Sequence, residues 1–210
     1  MPLNTITHMA DIVSAANSIH RSMQRAGMGL EGPILTHRVL AQMSGVRVQK
    51  SANLPRSALF CIVQRRHSFQ VLVESTLSPE ERRAAVARAL GHIDLHWRSG
   101  AWIGSHQPRE QAEAQAGRYA IALLAPSWSV LRLLQSPDTT TPALDEREAS
   151  ADLQAARIAQ ALRVPSWMVS TMLAAMQTYD GGDQLRQAAE RTRRARRKGA
   201  QRRQSLGGST

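Results

Sequence analysis

The chain has 210 residues, enough for one well-buried domain with appendages or for two small domains. Hydrophobic residues make up 42% of it, an ordinary share for a globular protein, and no run approaches the roughly 18 apolar residues of a membrane span. The N-terminus lacks a secretory signal pattern, and Cys61 is the single cysteine, so no internal disulfide is expected. These features predict a cytoplasmic protein that does not enter a membrane.

The formal net charge of +11 is concentrated near the C-terminus. Residues 191–210 carry eight basic side chains and no acidic one, which leaves a net charge of only +3 for residues 1–190. Residues 181–210 are therefore predicted to be a disordered basic tail with salt-sensitive, sequence-independent affinity for nucleic acid. The alternative is a solubilising tail without a specific partner. The predicted nucleic-acid-binding residues are Arg191, Arg193, Arg194, Arg196, Arg197, Lys198, Arg202 and Arg203.

The N-terminal third of the chain predicts two helices and three strands. Apolar residues recur at helical spacing over 9–26, and a second helix is expected over 33–43. The strands are expected over 46–48, 59–63 and 69–73, with a polar hairpin connection over 64–68. The apolar stripe of the first helix consists of Ile12, Val13, Ala16, Ile19 and Met23.

A long helix is expected to begin after Ser78, a favourable N-cap that is followed by a proline and two glutamates. Two lines of residues at helical spacing run along it. A polar loop containing His106 follows, and then a helix over 109–124. The buried line is expected to be Val86, Leu90, Ile93 and Trp97, and the line beside it Arg88, His92 and His96.

The C-terminal part of the chain is divided by proline- and glycine-containing breaks. Helical pattern returns over residues 151–162 and 166–176, after a polar, acidic stretch with two prolines. The predicted organisation is a domain over 1–134, a connector over 135–150, a helical extension over 151–180 and the basic tail over 181–210.

Residues 157–173 have the spacing of a helix-turn-helix motif. A small Ala159 would let the two helices cross closely, whereas Arg163 stands where many such motifs have glycine. The alternative, which we favour from the sequence, is an ordinary pair of packed helices. The core of the motif would include Val164, Val169 and Met172, and the residues facing a DNA groove or phosphates would be Ser166, Trp167, Ser170 and Thr171.

Three fragments of the chain resemble, in their order and spacing, the ImmA/IrrE family of zinc metallopeptidases. They read ILTHRVLAQMSGVRV, FQVLVESTLSPEERRAAVARALGHIDLH and QAGRYAIALLAP. The resemblance covers about residues 9–176. It implies an α+β, zincin-like (ImmA/IrrE-type) fold, with helices around a small antiparallel sheet and further helices at the C-terminal end.

The resemblance also implies a vestigial active site. Carried over by position, Arg88 replaces the first histidine ligand, Ala89 the catalytic glutamate and Gln115 the glutamate ligand, while His92 retains the second histidine. A guanidinium has no lone pair to give zinc, a methyl group moves no proton, and an amide oxygen is a weak ligand. The expected site therefore holds no metal and no catalytic residue.

Two structural readings of this site remain open from the sequence. In the first, Arg88 is held by Asp94, Glu113 or Gln115, or it simply reaches solvent. In the second, zinc is bound by a rearranged set of ligands, although proteolysis would then need a new general base. The candidate metal ligands are His92, His96, His106, Asp94 and Glu113.

Active members of the family cleave helix-turn-helix repressors in phage-immunity, mobile-element or stress responses. The resemblance implies a catalytically inactive regulatory protein that binds such a repressor, nucleic acid or both without cutting. One alternative is an active metallopeptidase with rearranged zinc ligands. Another is a helix-turn-helix transcriptional regulator that contacts DNA through residues 157–173.

Overall fold

A computed structural model describes residues 9–30, 32–43, 45–55, 58–66, 68–98, 109–135 and 147–178. This part of the chain forms an α+β fold of helices and one three-stranded sheet, and none of its helices is long and apolar enough to cross a membrane. The chain divides into two compact units, residues 1–172 and 173–210. Helices α1 to α7 are Met9–Arg25, Thr36–Gln42, Pro79–His92, Arg109–Leu124, Ser127–Leu134, Arg147–Leu162 and Ser166–Thr178, and strands β1 to β3 are Val46–Ser51, Phe60–Gln64 and Phe69–Glu74.

The sheet has the order β1-β3-β2, with β3 in the centre. Strands β2 and β3 form the predicted antiparallel hairpin, with Phe60 opposite Val73. Strand β1 pairs with β3 in parallel, with Val46 opposite Phe69, so the expectation of a wholly antiparallel sheet is wrong. The reason is the connection between β1 and β2, which takes the chain past the centre of the sheet to its far edge. The hairpin then returns β3 alongside β1 in the same direction.

All six predicted helices are present, with differences at their ends. In α1, Val13 is exposed, because the buried residues keep to a narrower stripe of Ile12, Ala16, Ile19 and Met23. Helix α2 begins at Thr36 rather than near 33, because Leu35 is still extended. Helix α5 was not predicted, and α6 begins at 147, inside the segment expected to be a connector; residues 136–146 of that segment lie outside the described residues.

Helix α3 begins with a reciprocal cap. The Ser78 hydroxyl accepts the N–H of Glu81 at 3.2 Å, and the Glu81 carboxylate accepts the N–H of Ser78 at 3.0 Å. At its other end α3 continues into a π-helical segment, Ile93–Trp97. Because a π-helix has more residues per turn, Trp97 leaves the predicted buried line and instead stacks, half-buried, on Phe69 at 5.6 Å between ring centroids.

Helices α3 and α4 pack closely at Gly91. A Cβ placed on Gly91 would lie 3.1 Å from the Cα and carbonyl oxygen of Ala116 and 3.1 Å from the Cβ of Tyr119. Such distances are shorter than most Cβ contacts, so a methyl group would fit only if the neighbouring helix shifted by a few tenths of an ångström. The small residues on both helices therefore bring the two backbones together, and this contact positions the candidate site.

Candidate functional site

The candidate site contains an ion pair that joins α3 to α4. Nη2 of Arg88 donates to Oε2 of Glu113 at 2.5 Å, and 36% and 33% of the two side chains are exposed. Glu113 is thus the partner of Arg88 among the three acceptors considered from the sequence. The guanidinium is neither free in solvent nor fully buried.

His92 lies beside this ion pair and is buried. Its Nε2 is 3.3 Å from Oε2 of Glu113, and its ring lies 6.0 Å from Phe60 and 5.5 Å from His96, measured between centroids. The approach to Glu113 is not aligned as a hydrogen bond, and neither ring nitrogen has such a partner among the described residues. Burial lowers the pKa of His92, helped by the charge of Arg88 and opposed by Glu113. The ring is therefore neutral near pH 7.

The Glu113 carboxylate lies close to both Arg88 and His92. Burial alone would raise the pKa of Glu113, but the neighbouring His92 and the charge and hydrogen bond of Arg88 lower it below its usual value. Glu113 is therefore ionised and committed to the guanidinium. A carboxylate in this state is a poor candidate for a general base, because proton transfer requires a pKa near the working pH.

The remaining residues carried over by the resemblance flank the close contact of the helices. Ala89 on α3 is fully buried, and Gln115 on α4 is buried as well. Gln115 directly precedes Ala116, the residue against which Gly91 packs, and His92 directly follows Gly91. The structure thus brings Arg88 and His92 together through Glu113 and puts Gln115 on the facing helix.

The residues present do not fit a zinc ion. The described residues hold no group of three or more histidine, cysteine, aspartate or glutamate side chains that could bind a metal. Nε2 of His96 lies 3.4 Å from the carbonyl oxygen of Ala112, and burial, together with the charge of His92, lowers the pKa of His96. His106 lies outside the described residues. The guanidinium of Arg88 lies 2.5 Å from the Glu113 carboxylate, and a guanidinium cannot be a metal ligand.

Asp94 is engaged elsewhere, in a pair that sequence reasoning missed. The hydroxyl of Tyr119 on α4 donates to Oδ2 of Asp94 at 3.3 Å. Burial raises the pKa of Asp94 and, more strongly, that of Tyr119. The available signal was the position of Tyr119, one helical turn after Gln115 and so on the same side of α4.

No protein-family model matches the chain, and a search of curated proteins finds no match for it. The likeness to ImmA/IrrE peptidases therefore depends on the order and spacing of the three fragments alone.

A second candidate site is the helix pair α6–α7. Three residues, 163–165, separate the helices, and the N–H of Val164 donates to the carbonyl oxygen of Ala159 at 2.9 Å. Arg163 has a positive φ of 52°, a left-handed conformation that is usually adopted by glycine at the end of a helix. Among the described residues, those buried on this pair are Ala155, Ile158, Ala159, Leu162, Val164, Met168 and Val169, while Met172 is half-buried.

The predicted DNA-facing residues lie on the exposed side of α7. Ser166, Trp167, Ser170 and Thr171 are all exposed, Trp167 to 51%. The predicted nucleic-acid-binding residues of the tail, 191–203, lie outside the described residues.

Arg83 on α3 joins the turn of this helix pair to another part of the first unit, through contacts that no local sequence pattern predicted. Its guanidinium donates to the carbonyl oxygens of Leu162 at 2.9 Å, of Arg163 and of Ile34. Burial lowers the pKa of Arg83, and the nearby charge of Arg163 lowers it further. Carbonyl groups at the end of a helix lack partners within the helix, so a cation here satisfies them.

Proposed function

We propose that this chain is a catalytically inactive regulatory protein, related to the ImmA/IrrE peptidases, that binds a partner without cleaving it. The observation that carries the proposal is the ion pair of Arg88 and Glu113 beside His92. A peptidase of this type needs a metal ion and a general base at this position. At the positions that the resemblance assigns to those two groups, this chain has the cation of Arg88, which the ionised Glu113 neutralises, and the buried methyl group of Ala89.

The partner suggested by the resemblance is a helix-turn-helix repressor. What supports a binding role is the accessibility of the ion pair, since about a third of each side chain is exposed. A partner with an acidic or basic side chain can exchange with one member of the pair, because exposed ion pairs contribute little and are readily replaced.

The test begins with the metal content of the purified full-length chain. We expect no stoichiometric zinc. We also expect that the protein, with zinc added, binds a helix-turn-helix repressor from the same genome and leaves the intact mass of that repressor unchanged. One equivalent of zinc that disappears in the His92→Ala variant, together with repressor fragments, would instead establish the alternative of an active peptidase with rearranged ligands.

A second candidate function, sequence-specific DNA binding by α6–α7, is favoured by one specific observation. Arg163 adopts the left-handed turn conformation that the motif usually obtains from glycine. The absence of glycine at this position therefore no longer argues against a helix-turn-helix motif. The burial pattern agrees, because the predicted core positions Ala159, Val164 and Val169 are buried.

Deletion of the basic tail separates this candidate from non-specific binding. Removing residues 191–210 should sharply weaken the salt-sensitive, sequence-independent component of binding to duplex DNA or RNA. A footprint that survives the deletion and disappears in a Trp167→Ala/Ser170→Ala variant would support reading by α7. Binding that vanishes with the tail would reject it.

A further inference from the structure

The exposed side of α7 has an unusual composition for a helix that would read DNA. Guanine is most often read by arginine or lysine, and adenine by asparagine or glutamine, through paired hydrogen bonds in the major groove. The exposed residues in the first two turns of α7 are Ser166, Trp167, Ser170 and Thr171, and none of them carries such a group. Hydrogen-bonded readout of purines by these turns of α7 is therefore weak.

Two of the hydroxyl groups on this side are also occupied. Ser170 donates to the carbonyl oxygen of Ser166 at 3.3 Å, and Thr171 donates to that of Trp167 at 2.8 Å. Each hydroxyl has one hydrogen to donate, so both oxygens remain available only as acceptors. A large surface that remains exposed on these turns is the mainly apolar ring of Trp167, which is 51% exposed.

We infer that Trp167 is a specificity-determining residue that reads the C5-methyl group of thymine in the major groove of duplex DNA. The inference depends on the proposed DNA-binding role of α6–α7. Trp167 is the second residue of α7, and the N-terminal residues of a recognition helix are the ones that reach base edges. Thymine is the one base that presents an apolar group in that groove.

Two exposed arginines of this helix pair carry charges that suit a phosphate backbone. Arg157 on α6 and Arg163 in the turn are both exposed, and the turn directly precedes the first residue of α7. Arginines at these positions would hold the helix on the duplex without reading its sequence. Trp167 would then supply the discrimination, and because one methyl contact is modest, we expect a short and tolerant thymine-containing site.

The experiment selects duplexes from a random library with the full-length chain and then replaces each enriched thymine with deoxyuridine, which removes only the methyl group. We expect thymine to be enriched at one or two positions, and its replacement to weaken binding about 3- to 5-fold at each contacted position. The Trp167→Ala variant should bind the thymine and deoxyuridine duplexes equally. Trp128→Ala is the matched control, since Trp128 is a 39% exposed tryptophan on α5 and should leave the discrimination unchanged.

The outcomes separate the two levels of the proposal. Enrichment of a sequence without thymine, equal affinity of the wild-type chain for both duplexes, or discrimination that persists in Trp167→Ala would overturn the role of Trp167 while leaving DNA binding intact. A library from which no sequence is enriched would reject specific DNA binding by α6–α7, and the methyl reading with it.

Discussion

Arg88 and His92 share one oxygen atom of Glu113, Nη2 of the arginine at 2.5 Å and Nε2 of the histidine at 3.3 Å. The two residues lie one turn apart on α3, and the carboxylate reaches them from α4. Because the arginine is permanently charged and the buried histidine is held neutral, the carboxylate is paired at neutral pH by the arginine. This relationship determines the electrostatics of the site.

The energy of the Arg88–Glu113 pair can be measured by a double-mutant cycle. Since about a third of each side chain is exposed, the coupling between Arg88→Ala and Glu113→Ala should be about 0.5–1 kcal/mol of unfolding free energy, and it should shrink in 1 M salt. Glu110 is an exposed glutamate on the same helix, so Glu110→Ala should be additive with Arg88→Ala. A coupling of zero, or one as large for Glu110 as for Glu113, would contradict the pair.

The buried histidines predict a loss of stability in mild acid. Burial lowers the pKa of His20, His92 and His96 below the ordinary value of 6.5. As the pH falls below about 6.5, these histidines bind protons in the unfolded chain but not yet in the folded chain. The stability that is present above pH 6.5 is therefore lost as the pH falls towards the folded-state pKa of each histidine. Each histidine contributes a slope of up to about 1.4 kcal/mol per pH unit.

Denaturant unfolding between pH 7.5 and 5.5 checks this expectation. The slope should be smaller in His92→Gln than in the wild type, and unchanged in His37→Gln, since His37 is exposed on α2. Glu113 does not confuse the result, because its pKa lies below the usual 4.5 and its titration falls outside this range. Equal slopes in the wild type and in His92→Gln would show that the folded chain does not lower the pKa of His92.

Local signals in the sequence predicted the hairpin and every helix except α5. The start of α3 is an example, because the Ser78 cap and the carboxylate of Glu81 act within one turn. Three features could not be predicted in this way: the parallel pairing of β1, the π-helical segment after His92, and the hydrogen bond from Arg83 to the carbonyl oxygen of Leu162. Each depends on partners that are distant in the sequence or on the packing of one helix against another.

Only the local part of the candidate site could be predicted from the sequence. The spacing of Arg88 and His92 on one helix follows from the helical period. The choice of Glu113 rather than Asp94 as the partner of Arg88 depends on how α3 and α4 pack at Gly91, and no local pattern specifies it. Tyr119 was missed because a tyrosine in an apolar helix is ordinarily a core residue, whereas here its hydroxyl donates to Asp94.

The contact at Gly91 should not tolerate a methyl group. In Gly91→Ala the new Cβ would lie 3.1 Å from backbone atoms of Ala116, so α3 and α4 must move apart. We expect a loss of about 1–3 kcal/mol of unfolding free energy, as for other overpacked contacts. Gly117→Ala is the matched control on α4, because no atom lies within 4 Å of its added Cβ. That variant should be neutral or up to about 1 kcal/mol more stable, and similar losses in both would argue against close packing at Gly91.

Glycine at position 163, in the turn between α6 and α7, should stabilise the folded chain. Arg163 adopts a φ of 52°, which strains a residue with a side chain, and its charge also opposes that of Arg83. Arg163→Gly should therefore raise the unfolding free energy by about 1 kcal/mol, since glycine adopts this conformation without steric cost. Arg163→Ala removes the charge but keeps the strain, so it should gain less. If alanine and glycine stabilise equally, charge repulsion rather than backbone strain is the cost at this position.

The resemblance to zinc peptidases can be tested by adding ligands back. Arg88→His would place an imidazole one turn before His92, and Gln115→Glu would place a carboxylate on the facing helix, which together complete a three-ligand zinc site if the two helices have the peptidase arrangement. The double variant should bind about one equivalent of zinc and gain about 2.7 kcal/mol of stability at a zinc concentration 100-fold above its Kd. The wild-type chain should show no such gain, and adding His92→Ala to the double variant should abolish it. Stability that does not respond to zinc in a folded double variant would mean that the three positions do not converge, and the assignment of a vestigial peptidase site would then be wrong.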